Sequence, residues 1–533
     1  TVIGGLAGDA LTTGSQSTFV GYNAGGATTD QSFNTAIGDS ALTANVNGAK
    51  NVAIGNSALA TMNPSSNTDT FNVAVGHDTG KAITTGVQNT IIGGFAGDAL
   101  TTGAYNVAIG YGALSAEDAN GRNVAIGYHA LVSQNAGADA YNTAIGYAAG
   151  VAVTTGVQNT IMGGLAGDAL TTGGGNIAIG HQALSASVDG YFNTAVGHLA
   201  LQDYEDGDGN GHNTAIGASS QLNASTGEFN TSLGSLSMGV GVTTGDANVA
   251  VGYNAGSALT SGIKNILIGK DAGDSLTEGN FNIAIGTDAL QTEDTHGKNI
   301  AIGHAALELL NAGADGNNVA IGYNSGAAMT TGVNNTIVGG LAGDAMTTGF
   351  DNVFVGKNSG GSATIGNNNV GIGLNALGTN VGGDRNVAIG SDALAAMTSA
   401  TTADTYNTAI GFSAGAAMTT GVKNTIIGGL AGDALTIGNN NIAIGHKALS
   451  TSVDGDENVA IGYLALEDYE DGDGNGHNTA VGARSQREAT TGEFNTSLGS
   501  LSMGVGVVTG NSNVAVGYQS GQALTSGSEN ITI

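Results

Sequence analysis

Two short loops hold the residues whose types and spacing best suit chemistry. Asp206-Gly-Asp208-Gly-Asn210-Gly211 and Asp471-Gly-Asp473-Gly-Asn475-Gly476 both read Asp-x-Asp-x-Asn-Gly. Oxygen ligands on alternate residues of a tight turn suit Ca²⁺, and the glycine permits the turn. The glutamate that would complete such a loop is replaced by Gly217 and Gly482. Asp203, Glu205, Asp468 and Glu470 are then the further oxygens on hand. The same residues also read as a solvated acidic loop with no ion. Ca²⁺ is the one cofactor this sequence suggests.

A second set of side chains forms a column. Tyr occupies positions 22, 111, 128, 147, 253, 323, 463 and 518, and His occupies 77, 181, 198, 304 and 446. Each follows the glycine of a repeated pentad, so the rings should stack at the spacing of adjacent strands. Stacked rings read as a structural ladder, or as a platform for a glycan. No nucleophile–base constellation stands out from the repeat, and with no Cys in the chain an enzyme is not expected.

The element that positions all of these is Asn106-Val107-Ala108-Ile109-Gly110. It recurs along the chain as Asn-[Val/Thr/Ile]-small-[Ile/Val/Leu]-Gly, on 31 anchors including two degenerate ones at the start. Of the 30 intervals, 22 are 17 residues and none is shorter. A fixed period of this kind marks a repeat architecture and outranks local propensities. The unit is too short and too β-branched for a helix, and a glycine always ends it. It therefore reads as a strand, one per coil of a parallel β-solenoid, or β-roll.

Alternation puts Val107 and Ile109 on one face and Ala108 on the other. The larger pair is expected to line the inside of the coil. The Ala108 position is never charged, so that face also needs cover, and another copy of the chain is the simplest partner. The anchor asparagines are expected to form an internal amide ladder, as stacked Asn does in cross-β structures.

Composition narrows the class. The chain has 533 residues with 93 Gly but no Gly-X-Y period, which excludes collagen. A single Pro and many β-branched residues argue against a disordered linker. A formal charge of −30 with 12 Lys+Arg opposes nucleic-acid binding. No apolar run is long enough to insert in a membrane as a helix. The absence of Cys is compatible with an extracellular setting.

The array reads as one continuous solenoid over 1–533, with a duplication of 159–268 at 424–533. Longer coils carry their extra residues just before the next Asn, as at 62–69, 136–140, 204–212 and 399–404, so one corner should hold the protrusions. The sequence opens and closes inside a motif, which reads as a segment of a longer protein.

Asn407-Thr-Ala-Ile-Gly-Phe412 and its relatives resemble the head repeats of YadA-like trimeric autotransporter adhesins, and the similar repeat shafts of phage tail fibres. The family's coil is shorter than this one. The resemblance implies three chains around one axis, in an extracellular fibre on a virion or a bacterial surface. The expected function is a structural shaft that rigidly displays an adhesive tip or surface. Its expected partners are two further copies and a host-surface glycan or receptor. Two alternatives remain open: a glycan-binding adhesin module in its own right, and an ice-binding solenoid suggested by Thr-rich turns.

Overall fold

The computed structural model describes residues 1–205, 210–399, 401–470 and 476–533. They divide into two compact units, Thr1–Asn265 and Ile266–Ile533. Each unit is a parallel β-solenoid built of coils of about 17 residues, and the described residues contain no α-helix. The coil strand is three residues long, as in Val107–Ile109 and Val124–Ile126. These two pair in register, with Val124 beside Val107, Ala125 beside Ala108 and Ile126 beside Ile109. The same register runs from coil to coil through each unit, for example Ile177 beside Thr160 and Val353 beside Thr336. Two longer coils in which extra residues precede the next Asn add a minor pair of two-residue strands, Gly48–Ala49 with Thr68–Asp69 and Gly383–Asp384 with Ala403–Asp404.

The structure reverses the expected sidedness of the strand. Ala108 is completely buried inside its coil, whereas Val107 and Ile109 are half-buried on the outside. The pattern is general, since Ala125, Ile91, Ile161, Phe19 and Phe354 are all buried at the central position. The outward positions include Ile92, Ile177 and Leu233, exposed by 37%, 39% and 46%. The physical reason is that the coil interior is narrow and is filled from the opposite wall. Leu114, Leu100 and their equivalents reach across it and are fully buried.

Interior volume is conserved between the two walls. Ile91 faces a coil whose opposite wall carries Gly97, while Ala108 faces one carrying Leu114. A Cβ on Gly97 would lie 2.8 Å from Leu100 Cδ1 and 3.3 Å from Ile91 Cδ1. At Gly360 it would lie 2.6 Å from the ring of Phe354. Close-packed interiors behave this way, because each extra carbon must be matched by one removed. Gly97 and Leu114 share a left-handed backbone, with φ of 50° and 54°. For Leu this costs roughly 1–2 kcal/mol. Burying the whole Leu side chain returns about 1.5–3 kcal/mol, so the residue is tolerated.

Polar groups inside are satisfied along the solenoid. The Asn106 backbone N–H donates to Asn89 Oδ1 at 2.9 Å, and the Asn123 N–H donates to Asn106 Oδ1 at 3.0 Å. Asn89 Nδ2 donates to its own coil's corner carbonyl, Gly103 O, at 2.9 Å. Each anchor thus ties its own coil shut and holds the next one. The closing glycine is required as well, since Gly110 sits at φ 137° and a Cβ there would collide with the Gly127 carbonyl.

Candidate functional site: the outward face of the sheet

Residues at odd positions around each Asn project outward, so the sheet presents four parallel columns. The middle two are the β-branched residues of the strand. The column after the glycine holds the Tyr and His rings. The column just before the Asn holds a second set of rings and cations that the repeat pattern did not single out. Phe33, Phe71, Tyr105, Tyr141, Phe192 and Phe229 belong to it, interleaved with Lys50 and Arg122. Its signal was present in the sequence as a recurring large residue directly ahead of the anchor.

Both border columns are built as ladders. Tyr111 and Tyr128 stack at 5.6 Å and 12°, and Tyr128 and Tyr147 at 5.5 Å and 7°. In the other column His212 lies between Phe192 and Phe229, with both centroids 5.2 Å away. Arg122 is held between the rings of Tyr105 and Tyr141, at 5.5 and 5.4 Å. In these runs the ring faces are turned toward neighbouring rings, leaving edges and hydroxyls at the surface. A sugar that needs an open ring face finds few of them here.

Cations of the second column also fasten the long coils. Lys50 Nζ pairs with Asp69 at 2.6 Å and Lys298 Nζ with Asp315 at 2.6 Å. Arg122 pairs with Asp139 and Arg385 with Asp404 in the same way. Each of these carboxylates comes from a coil longer than 17 residues. Exposed pairs of this sort contribute up to about 1 kcal/mol each, so they orient the protrusions rather than hold the fold.

Of the proposed calcium ligands, Asp206, Asp208, Asp471, Asp473 and Asn475 lie outside the described residues. Asn210 is exposed, and its backbone carbonyl accepts a hydrogen bond from the Tyr204 hydroxyl at 2.9 Å. Tyr204 and Tyr469 are fully buried in the slot that Leu fills elsewhere, and Tyr204 reaches from the core toward the loop. Asp203 and Glu205 precede the loop and pair through their backbone amides with Leu222 and Ser225.

A different acidic group escaped the spacing argument. Glu293, Asp294 and His296 place one donor atom each within 4.8 Å of one another. Glu293 is buried, and burial pushes its carboxyl above the ordinary range. Its oxygens accept from the His296 amide at 3.2 Å and the Ala312 amide at 3.5 Å. Glu117 occupies the matching slot of another coil, accepts from the Asn120 amide at 3.1 Å, and is likewise pushed up by burial. Both carboxylates therefore serve first as turn ties.

The Thr-rich corners are also committed. Thr101 Oγ1 donates to the Asp118 carbonyl at 2.8 Å, and Thr171 Oγ1 to the Val188 carbonyl at 2.9 Å. A hydroxyl spent on the next coil is not free to order water into a lattice. Among the described residues no helix is long and apolar enough to cross a membrane. No protein-family model and no curated protein matches this chain.

Proposed function

We propose that the chain is the structural shaft of an extracellular fibre, a virion tail fibre or a surface adhesin. It assembles with further copies of itself and holds an adhesive tip or surface away from its base. The observation that carries this reading is the outward face of the sheet. It repeats two half-exposed β-branched residues per coil without interruption, bordered by aromatic ladders. Exposed apolar patches beyond a few hundred Å² mark interfaces in soluble proteins.

The area supports a second copy as the occupant. With strands about 4.8 Å apart and a face six residues wide, each coil offers roughly 100 Å². About eight coils then supply the roughly 800 Å² per partner of a stable interface, and each unit contains more coils than that. The number three rests on the resemblance to trimeric adhesin repeats alone. A shaft also fits the internal ladders, because a solenoid gains stability from nearest-neighbour contacts along its axis.

Native mass measurement tests the proposal. Three times the 51.8 kDa chain mass is expected. A stable species at one chain mass, with the sheet face open to solvent, would overturn it.

A further inference from the structure

If the shaft reading holds, the face also specifies how its copies meet. We infer that they lie parallel and in register, with the ring column before the Asn of one copy against the Tyr/His column of the next. In a closed ring of parallel copies, rotation about the shaft axis carries one border of the face onto the other border of the neighbour, at the same height. The two columns of a single copy are about 20 Å apart along the strand. Nothing within one copy couples the sizes of residues at equal height.

The sizes are nonetheless matched. Gly175 shares its height with His181, and Ala247 with Tyr253. Conversely, Phe229 shares its height with Ser235, and Phe281 with Thr287. A small residue in one column thus meets a large one in the other, as surfaces that interlock require. Three consecutive coils are large in both columns: Tyr105 with Tyr111, Arg122 with Tyr128, and Tyr141 with Tyr147. There Arg122 already lies between two tyrosines of its own copy, and a third ring from a neighbour extends the same cation–π contact. In an antiparallel arrangement each column would instead meet its own kind, and the size matching at equal height would have no purpose.

The chain contains no cysteine, so engineered thiols report contacts without background. A disulfide needs Cα atoms within about 7 Å, which the separation between residues 141 and 147 of one copy forbids. The double variant Tyr141→Cys/Tyr147→Cys should therefore form bonds only between copies. After mild oxidation the double variant is expected as a covalent ring on a non-reducing gel, while each single variant remains unlinked. Tyr406→Cys/Phe412→Cys, in the second unit, provides an independent position should the first pair fold poorly. Cross-linking of Tyr141→Cys alone would establish like-to-like contact and overturn the parallel seam. So would an unlinked double variant whose native mass shows an intact assembly, which leaves the shaft reading standing. A native mass of one chain would remove both.

Discussion

The two sides of the strand at 107–109 differ in a way that inverts the usual rule. The inner side carries the smaller residue, Ala108, fully buried, and the outer side carries the larger ones, Val107 and Ile109, half-exposed. The inner wall is satisfied within one chain by asparagine amides and by leucines reaching across. The outer wall has no such partner within its chain. A protein that spends its larger β-branched residues on the outside has placed its hydrophobic driving force between chains rather than within the coil.

Charge on either side should separate these roles most sharply. Ala108→Asp buries an unpaired carboxylate in a dry slot, at a cost of several kcal/mol. The damage should be local, with coils around 108 fraying and distant coils intact, as hydrogen exchange along the chain would record. Ile109→Asp should leave circular dichroism and the coil unchanged and weaken association. Equal effects from the two substitutions would erase the distinction between the walls.

Overpacking gives a smaller and more diagnostic effect. Ala108→Ile alone should cost about 1–3 kcal/mol, because Leu114 already fills the space. Combined with Leu114→Gly it recreates the Ile91/Gly97 arrangement, and most of the loss should be recovered in thermal melts. Non-additivity of this sign is expected only if the two positions share one cavity.

Removing one rung of the amide ladder should come next. Asn106→Ala leaves the Asn123 N–H without its acceptor, and a buried unsatisfied donor costs about 1–3 kcal/mol. The melting temperature of the surrounding coils should fall while the mass of the assembly stays the same.

The smallest effect concerns the buried carboxylates. Because burial raises the Glu117 pKa above its ordinary 4.5, the folded state binds the proton more tightly than the unfolded chain does. The penalty is therefore present above the folded-state pKa and absent below the unfolded one. Glu117→Gln keeps the acceptor for Asn120 and removes the charge. It should melt higher than the parent at neutral pH and lose that advantage at acid pH below 4.5.

Much of the coil was legible in the residues themselves. The period, the strand, the closing glycine and the anchor asparagine follow from spacing and residue type. The stacked Tyr and His column follows from the position after Gly110. The sidedness of the strand did not, because the larger apolar residue is ordinarily the buried one. Two signals pointed the other way. Asn106 and Ala108 share parity along the strand, so an inward amide ladder already requires an inward Ala108. The alternation of Ile91/Gly97 with Ala108/Leu114 likewise shows that the central residue shares a cavity with the far wall. The ring and cation column ahead of each Asn was hidden by its mixed chemistry, Phe71 and Tyr105 in some coils and Lys50 and Arg122 in others. The turn ties at Glu117 and Glu293 stand where other coils have Leu, which only the backbone amides of the adjacent turns explain.

The most direct measurement is the native mass of the parent chain beside a variant carrying Ile92→Asp, Ile109→Asp and Ile126→Asp on three successive coils. Several coils are charged because each contributes only roughly 100 Å² to the face. The parent is expected at a multiple of 51.8 kDa, and the variant should shift toward 51.8 kDa with its β-structure retained. A parent that is monomeric, or a triple variant that stays fully associated, would contradict the assignment of the outward face as the surface between copies.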